Sequence, residues 1–398
     1  MFHKLLHFTT EIRPGGGPPG YLYNLKKIEK NYNYHVFSVN ENMSRDNTSY
    51  NKIKFPKLIL RHLLCLKYLI SLLGIKKIKE EKKIFDYDFV LAHTAPIAAR
   101  LISINKNEGK KTKIGFMPHG PVSYSIEVLD DIESKYGKFI TRRIYEKALS
   151  HFENQIFNRA DFISVAAKKG LDAYTNIKCD YKNKLFEVTT GLPELKCNLN
   201  QNEIRNELNI PPNSFVVGFF GRYNHHKGYD FFCNEILLNK SHENIFFISA
   251  GTGPISEIKN NNYINFGWRR DIEKLITACD LVVLPNRYTY FDLLPLECLS
   301  LSRPVAVSKT GGNIKLLSLS SAIIGFDMKE GNLIETINRL ASKNKEELNI
   351  LNRSARKSFE RNFNEIAFSN NHEALFSNIK KYFKNNKIHH MDKTANTE

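Results

Sequence analysis

A chain of 398 residues exceeds one ordinary hydrophobic core and points to two domains of common size. Apolar residues at 42% and charged residues at 25% exclude extended disorder, and a net charge of +17 calls for anionic partners: nucleic acid, phosphorylated substrates or an anionic membrane face. The six cysteines are scattered, with no C-x-x-C pair and no metal-type histidine spacing, so they read as reduced thiols of a cytoplasmic protein.

The chain opens on a predicted strand, residues 5–8, with too short an apolar stretch for a signal-peptide core. Gly15-Gly16-Gly17-Pro18-Pro19-Gly20 follows, then a helical pattern from about Tyr21. Consecutive glycines let a backbone approach a ligand closely and the helix N-terminus favours an anion, although an ordinary Gly-Pro turn has the same composition. Strands are predicted next at 35–39, 89–92, 114–117 and 162–165, alternating with helical patterns as in parallel sheets covered by helices. The apolar stretch 58–73 is interrupted by Arg61, His62 and Lys67 and is shorter than the ~20 residues of a spanning helix. Together with Lys76, Lys77, Lys79, Lys82 and Lys83, the segment 57–83 reads either as a helix resting on anionic headgroups or as a buried helix with a solvated basic end. Asp86-Tyr87-Asp88 precedes its strand instead of following it, which speaks against a metal-binding Asp-x-Asp. His119, after the strand 114–117, can contact a sugar hydroxyl or a developing charge, or serve structurally.

Past Gly191 and Pro193, an Asn- and Gln-rich stretch to about Asn202 reads as an interdomain linker. A second strand series is predicted at 215–220, 245–250, 264–266, 281–284, 304–307 and 322–324. The expected organisation is an N-terminal domain over 1–195, joined by a C-terminal helix near 370–385, a second domain over 205–370, and a disordered polar tail at 386–398. The loop Gly221 to Gly228 opens at the C-terminal end of a parallel strand, the ligand side of such sheets. There Arg222 can fork onto phosphate oxygens and Lys227 can add a point charge, unless both are simply solvated. After the strand 281–284, Pro295 suits the first turn of a helix and leaves N–H groups near Leu293 and Leu294 for phosphate. Glu297 can then accept two ribose hydroxyls, or merely complement the helix dipole.

Taken in order, these stretches resemble the retaining glycosyltransferases of family four, which have the GT-B fold. The resemblance runs from about Leu5 to Phe383 and is carried by the glycine-rich loop, Pro118-His119-Gly120, Gly221-Arg222 with Lys227-Gly228, Gly251-Thr252-Gly253, Phe266-Gly267-Trp268, residues 291–297, Pro304-Val305 and Gly311-Gly312. It implies an α/β chain of two Rossmann-like domains whose parallel sheets face each other across an active-site cleft, the N-terminal one on the acceptor side and the C-terminal one binding the donor. It further implies that Gly16, Gly17, Arg222 and Lys227 surround a donor diphosphate, with Gly251 nearby, that Glu297 holds the ribose, and that the loop at Trp268 borders the base. The backbone at Phe291, Asp292, Leu293 and Leu294 would complete the cradle, and His119, Arg222 and Lys227 form the catalytic set. One departure stands out: Thr289 occupies the place of the family's second glutamate beside the donor sugar, and Tyr290 and Asp292 replace usual glycines. Asp292 is the candidate substitute for the missing carboxylate.

The implied activity is transfer of a sugar, with retention, from a nucleotide-diphosphate sugar to a saccharide or polyprenyl-linked glycan in bacterial surface polysaccharide synthesis. No metal and no cofactor beyond the donor substrate are expected, and the implied location is cytoplasmic, at the inner face of the cytoplasmic membrane. The alternatives are an epimerase or phosphorylase of the same fold, or a basic nucleic-acid-binding protein. Against the last, the cations are spread along the chain and no aromatic and basic recognition motif is present.

Overall fold

The computed structural model describes residues 2–14, 17–29, 32–41, 56–79, 81–238 and 244–395. The chain divides into two compact units: Met1–Thr189 with Ser369–Glu398, and Thr190–Phe368.

In the first unit the chain runs through β1 (Phe2–Ile12), α1 (Gly17–Lys27), β2 (Tyr34–Glu41), α2 (Lys57–Leu72), α3 (Glu81–Ile84), β3 (Tyr87–Ala92), α4 (Ala95–Asn107), β4 (Lys113–Phe116), α5 (Tyr124–Tyr136), α6 (Arg142–Arg159), β5 (Phe162–Val165) and β6 (Leu185–Glu187). The six strands form one sheet in the order β2-β1-β3-β4-β5-β6, with every pairing parallel. Such a sheet needs a crossover between strands, and the helices that make the crossovers cover its faces, which is why Phe8, Phe116, Phe157 and Phe162 are fully buried. The sequence reading had no strand at β6, a three-residue edge element that is only partly buried and so carries no apolar run.

The second unit contains α7 (Gln201–Glu207), β7 (Phe215–Phe220), α8 (Tyr229–Leu238), β8 (Ile245–Ala250), β9 (Tyr263–Asn265), α9 (Ile272–Ala278), β10 (Leu281–Leu284), α10 (Leu294–Ser300), β11 (Val305–Ser308), α11 (Asn313–Leu319), β12 (Ile323–Phe326), α12 (Asn332–Ala341) and α13 (Lys345–Asn362). Its sheet is again six-stranded and parallel, in the order β12-β11-β10-β7-β8-β9. Two apolar clusters centred on Val216, Val282 and Val305 and on Val217, Phe247 and Val283 are made by alternate residues of the same strands.

A final helix, α14 (Glu365–Ala395), begins in the second unit and from Ser369 belongs to the first. Ser369, His372, Leu375, Phe376 and Ile379 are buried at helical spacing, and the Tyr34 hydroxyl is 3.1 Å from that of Ser369. Helix continues through Ala395, past residue 386 where a disordered tail is expected; residues 396–398 lie outside the described residues. That stretch has neither glycine nor proline to stop a helix.

In both sheets the strand order reverses beside the first strand, at β1/β3 and at β7/β10. Loops at the carboxyl ends of those strands diverge and leave a crevice. Each unit therefore offers one place for a site, and the motif residues fall there.

Candidate functional site

In the second unit the loops after β7 and β10 are sewn together. The Arg287 N–H donates to the His226 carbonyl at 2.9 Å, while its guanidinium donates to the His225 carbonyl at 2.8 Å and to both oxygens of Asp230 at 2.7 and 2.8 Å. Gly228 lies where the loops meet, with φ at +68° and its hydrogen facing the Pro285 carbonyl, which an added Cβ would approach to 1.8 Å. This packing sets Lys227 against Asp292: Nζ donates to the two carboxylate oxygens at 2.7 and 3.0 Å, and the Asn286 amide donates to the same carboxylate. Two expected site residues are thereby brought together as an ion pair that is about a third exposed on the lysine side.

Glu297 lies in the first turn of α10, and among the described residues its carboxylate accepts no hydrogen bond and meets no cation. Burial first, and then the negative charge of Asp292, push its pKa up to about 7. A carboxylate in such a place is costly until O–H donors arrive, and a pair of adjacent hydroxyls on one ligand is the kind of group that meets this need. Just before it, the backbone N–H groups of Phe291, Asp292, Leu293 and Leu294 donate no hydrogen bond among the described residues, while the side chains of Phe291, Leu293 and Leu294 pack on the core. What this segment presents is therefore main chain, with Asp292 as its polar side chain.

The other expected residues of this unit are placed differently. Arg222 is exposed on the loop after β7 and, among the described residues, forms no ion pair. Trp268, on the loop after β9, is 61% exposed, and the Arg270 guanidinium lies 5.4 Å over its ring. The Gly251 N–H is committed to the Gly267 carbonyl at 2.8 Å, so this glycine serves close loop packing and has no N–H to offer a ligand. Thr289 is 3% exposed; its carbonyl accepts from the Gly312 N–H at 3.0 Å and, among the described residues, its hydroxyl has no partner.

In the first unit, the loops after β1, β3 and β4 enclose a cavity of about 250 Å³ lined by Gly17, Pro18, His93, His119, Tyr124 and Glu127, among others. Gly17 is the first residue of α1, with φ at +73°, and Gly16 lies outside the described residues. His119 reaches behind the cavity wall into a cluster of imidazoles: its Nε2 is 2.8 Å from His93 Nδ1, and His93 Nε2 is 3.0 Å from His7 Nδ1. His372 of α14 joins it, with its ring 4.7 Å from that of His7 and its Nε2 2.8 Å from the Tyr21 hydroxyl. Burial lowers the pKa of His119 to about 3, burial and the His119 charge lower that of His7 to about 3, and His93 and His372 are held well below the usual imidazole range, first by burial. All four are neutral at physiological pH. Sequence reasoning reached only His119. The His93-Thr94 step carries the same signal, a histidine directly after a strand and before a helix with Pro96 in its first turn, whereas His7 and His372 are hidden inside a strand and a helix.

Comparison with known proteins bears on these features together. Residues 214–343 match the family model described as glycosyl transferases group 1. Over 181 residues, 42% of this chain and 46% of the relative, the sequence is 26% identical to the UDP-Gal:alpha-D-GlcNAc-diphosphoundecaprenol alpha-1,3-galactosyltransferase of Escherichia coli. Over 138 residues, 31% of this chain and 39% of the relative, it is 30% identical to the lipopolysaccharide core biosynthesis mannosyltransferase LpsB of Rhizobium meliloti. The chain thus spans less than half the length of these curated relatives. In fold it is similar to the Anabaena protein HepE in complex with UDP-glucose, with a TM-score of 0.62 at 16% identity, covering 94% of this chain and 99% of that one. The chain therefore has the α/β fold of two parallel six-stranded sheets found in GT-B glycosyltransferases, and residues 214–343 of it are a glycosyl transferases group 1 domain.

Proposed function

We propose that the protein is a retaining glycosyltransferase of family four that moves a hexose from a nucleotide-diphosphate sugar to a saccharide or polyprenyl-linked saccharide, in the synthesis of a surface polysaccharide. The observation that carries this reading is Glu297, a carboxylate without a partner among the described residues, held beside the Lys227–Asp292 pair at the reversal of strand order in a glycosyl transferases group 1 domain. In this reading Glu297 accepts the two ribose hydroxyls, the main chain of residues 291–294 meets phosphate or sugar oxygens, and the exposed Trp268 lies beside the base. Breaking the bond from the anomeric carbon to the diphosphate leaves positive charge on the sugar and negative charge on the leaving oxygens. Arg222 and Lys227 meet that negative charge, so no metal is needed to bridge the phosphates. Lys227 enters the reaction already oriented by Asp292, and the diphosphate competes with that carboxylate for its ammonium. The acceptor oxygen forms its bond to the anomeric carbon on the face the diphosphate leaves, and a leaving phosphate oxygen takes the acceptor proton.

The lipid-linked acceptor is favoured by α2. Its Leu58, Ile59, Leu63, Leu66 and Ile70 are exposed together with Lys57 and Lys67, while Cys65 and Leu72 are buried, and the helix contains no acidic residue. Ile75, Lys76 and Lys77 continue the exposed surface. Apolar side chains with a basic rim fit an anionic bilayer surface at which the acceptor is presented. Among the described residues, no helix is long and apolar enough to cross a membrane. The expected site of action is thus the cytoplasmic face, by peripheral contact.

Thermal-shift titration with UDP, GDP, ADP and CMP sugars tests the donor reading. Binding of at least one raises the melting temperature of the wild type, and the shift is lost in Glu297→Ala and Lys227→Ala. Product analysis of the responding sugar, with and without a polyprenyl-diphosphate-linked saccharide and with EDTA present, then separates transfer from epimerisation or phosphorolysis and tests metal independence. No shift with any nucleotide sugar overturns the proposal.

A further inference from the structure

The loop between α5 and α6 carries large apolar side chains that stay uncovered among the described residues. Ile140 is fully exposed, and Ile144, one turn on in α6, is 67% exposed. Arg143 and Lys147 are exposed with them, so residues 140, 143, 144 and 147 form one stripe at helical spacing, and exposed Lys138 precedes it. The acidic residues nearby are turned toward other cations: Arg142 takes Asp130 at 2.7 Å and Glu133 at 2.8 Å, with Glu146 at 3.8 Å, and Lys135 takes Asp131 at 2.7 Å. What faces solvent beside the two isoleucines is therefore basic. The loop is also fixed to α2. Arg61 Nη1 donates to the carbonyls of Gly137 and Lys138 at 3.2 and 2.7 Å, and its guanidinium lies 5.5 Å from the centre of the Phe139 ring. His62 Nδ1 is 3.1 Å from the Tyr145 hydroxyl.

We propose that this loop is a second membrane-inserting element, in which Ile140 and Ile144 enter an anionic bilayer while Lys138, Arg143 and Lys147 meet its headgroups. The proposal rests on the reading of α2 as a bilayer contact and extends that contact to an element tied to it. Apolar side chains ringed by cations gain from hydrocarbon and from anionic headgroups at once. Two tied elements also resist rolling about the axis of α2, so the bilayer meets this unit in one orientation. A second copy of the chain is the rival occupant. Ile59, Leu63, Leu66, Ile70 and Leu73 are exposed at alternating spacings of four and three, as in a helix-pairing seam. The exposed cations near that seam are Lys57, Lys67, Lys76 and Lys77, and α2 contains no acidic residue. Two copies would therefore set like charges side by side, whereas an anionic surface neutralises them.

Single-tryptophan fluorescence on the full chain tests this. Trp268→Phe removes the native tryptophan, and Ile140→Trp or Ile59→Trp then reports on the loop or on α2. With vesicles of phosphatidylcholine and phosphatidylglycerol in equal parts, the Ile140→Trp emission is expected to shift to the blue and to be quenched by lipids brominated on their acyl chains. Vesicles of phosphatidylcholine alone are expected to give little of either. Ile140→Glu with Ile144→Glu is expected to lower partitioning onto the anionic vesicles, read by flotation, by roughly tenfold or more. Its Tm should match the wild type because neither side chain is buried. Lys138→Gln, Arg143→Gln and Lys147→Gln together should flatten the salt dependence of binding. An Ile59→Trp signal without an Ile140→Trp signal overturns the proposal and leaves the α2 contact standing; silence at both overturns the two together. A blue shift at Ile140→Trp that needs no vesicles and grows with protein concentration marks a second copy as the occupant and overturns it as well, as does equal binding to phosphatidylcholine alone. These measurements need no turnover, so their outcome is independent of whether the protein transfers sugar.

Discussion

Replacing Glu297 by glutamine is expected to stabilise the unliganded protein, by an amount that grows with pH. The carboxyl titrates near 7 in the folded chain, raised by burial and by Asp292, against about 4.3 in an unfolded one. Between those values the folded chain binds more protons than the unfolded one, so the wild type loses stability as pH rises, and the loss levels off above 7. That difference corresponds to roughly 3.5 kcal/mol at pH 8 and about 0.5 kcal/mol at pH 4.5. For a unit of this size the loss at pH 8 is roughly 7 to 14 °C in Tm. Urea unfolding of wild type and Glu297→Gln at pH 5, 6, 7 and 8 reads the difference directly. In the proposed reading the same substitution removes the acceptor of the ribose hydroxyls, so the more stable variant is expected to be the one that fails to bind nucleotide. A stability difference that does not vary with pH, or a glutamine variant that binds a nucleotide sugar as tightly as wild type, would refute the account of Glu297.

Arg222→Ala and Lys227→Ala should each lower kcat by roughly a hundredfold, the usual loss when one charge opposite a leaving group is removed; steady-state turnover that is unchanged in both argues against them. Asp292→Ala frees Lys227 and removes the charge that helps raise the Glu297 pKa, so the pH at which nucleotide binding changes should move down, and turnover should fall. Turnover near the wild-type rate would remove Asp292 as the stand-in for the carboxylate absent at Thr289. Gly228→Ala places a Cβ against the Pro285 carbonyl at a positive φ and should cost at least ~1–3 kcal/mol in urea unfolding, with nucleotide binding weakened because the two loops part. Leu63→Glu with Leu66→Glu puts two acidic groups on the exposed face of α2 and should abolish flotation with anionic liposomes while leaving nucleotide binding intact.

Strand positions were legible because a parallel strand buried on both faces must be an unbroken apolar run. β7, β8 and β10 are such runs, whereas β6, at the edge with partly buried residues, is not. The loops at the strand ends were legible for the same reason, since a glycine, a cation or a histidine directly after an apolar run stands out. What the sequence could not show was pairing. That Lys227 is held by Asp292, 65 positions away, and that the Gly251 N–H is spent on Gly267, follow from loop contacts that no local pattern encodes. His7 and His372 were invisible because a polar residue within a strand or a helix reads as solvent-facing, while here both line a buried core closed by α14.

The placement of α14 makes the order of synthesis matter. Every strand of the second unit lies in one continuous stretch of chain, so that sheet can close as soon as its last strand has been made. The first unit begins with β1 and yet is sealed by residues 369–379, the Tyr21–His372 pair spanning 351 positions. An early-made half therefore stays open along one face until a later-made half has been produced, and a ribosome stalled before Ser369 would hold it there, a natural binding place for a chaperone.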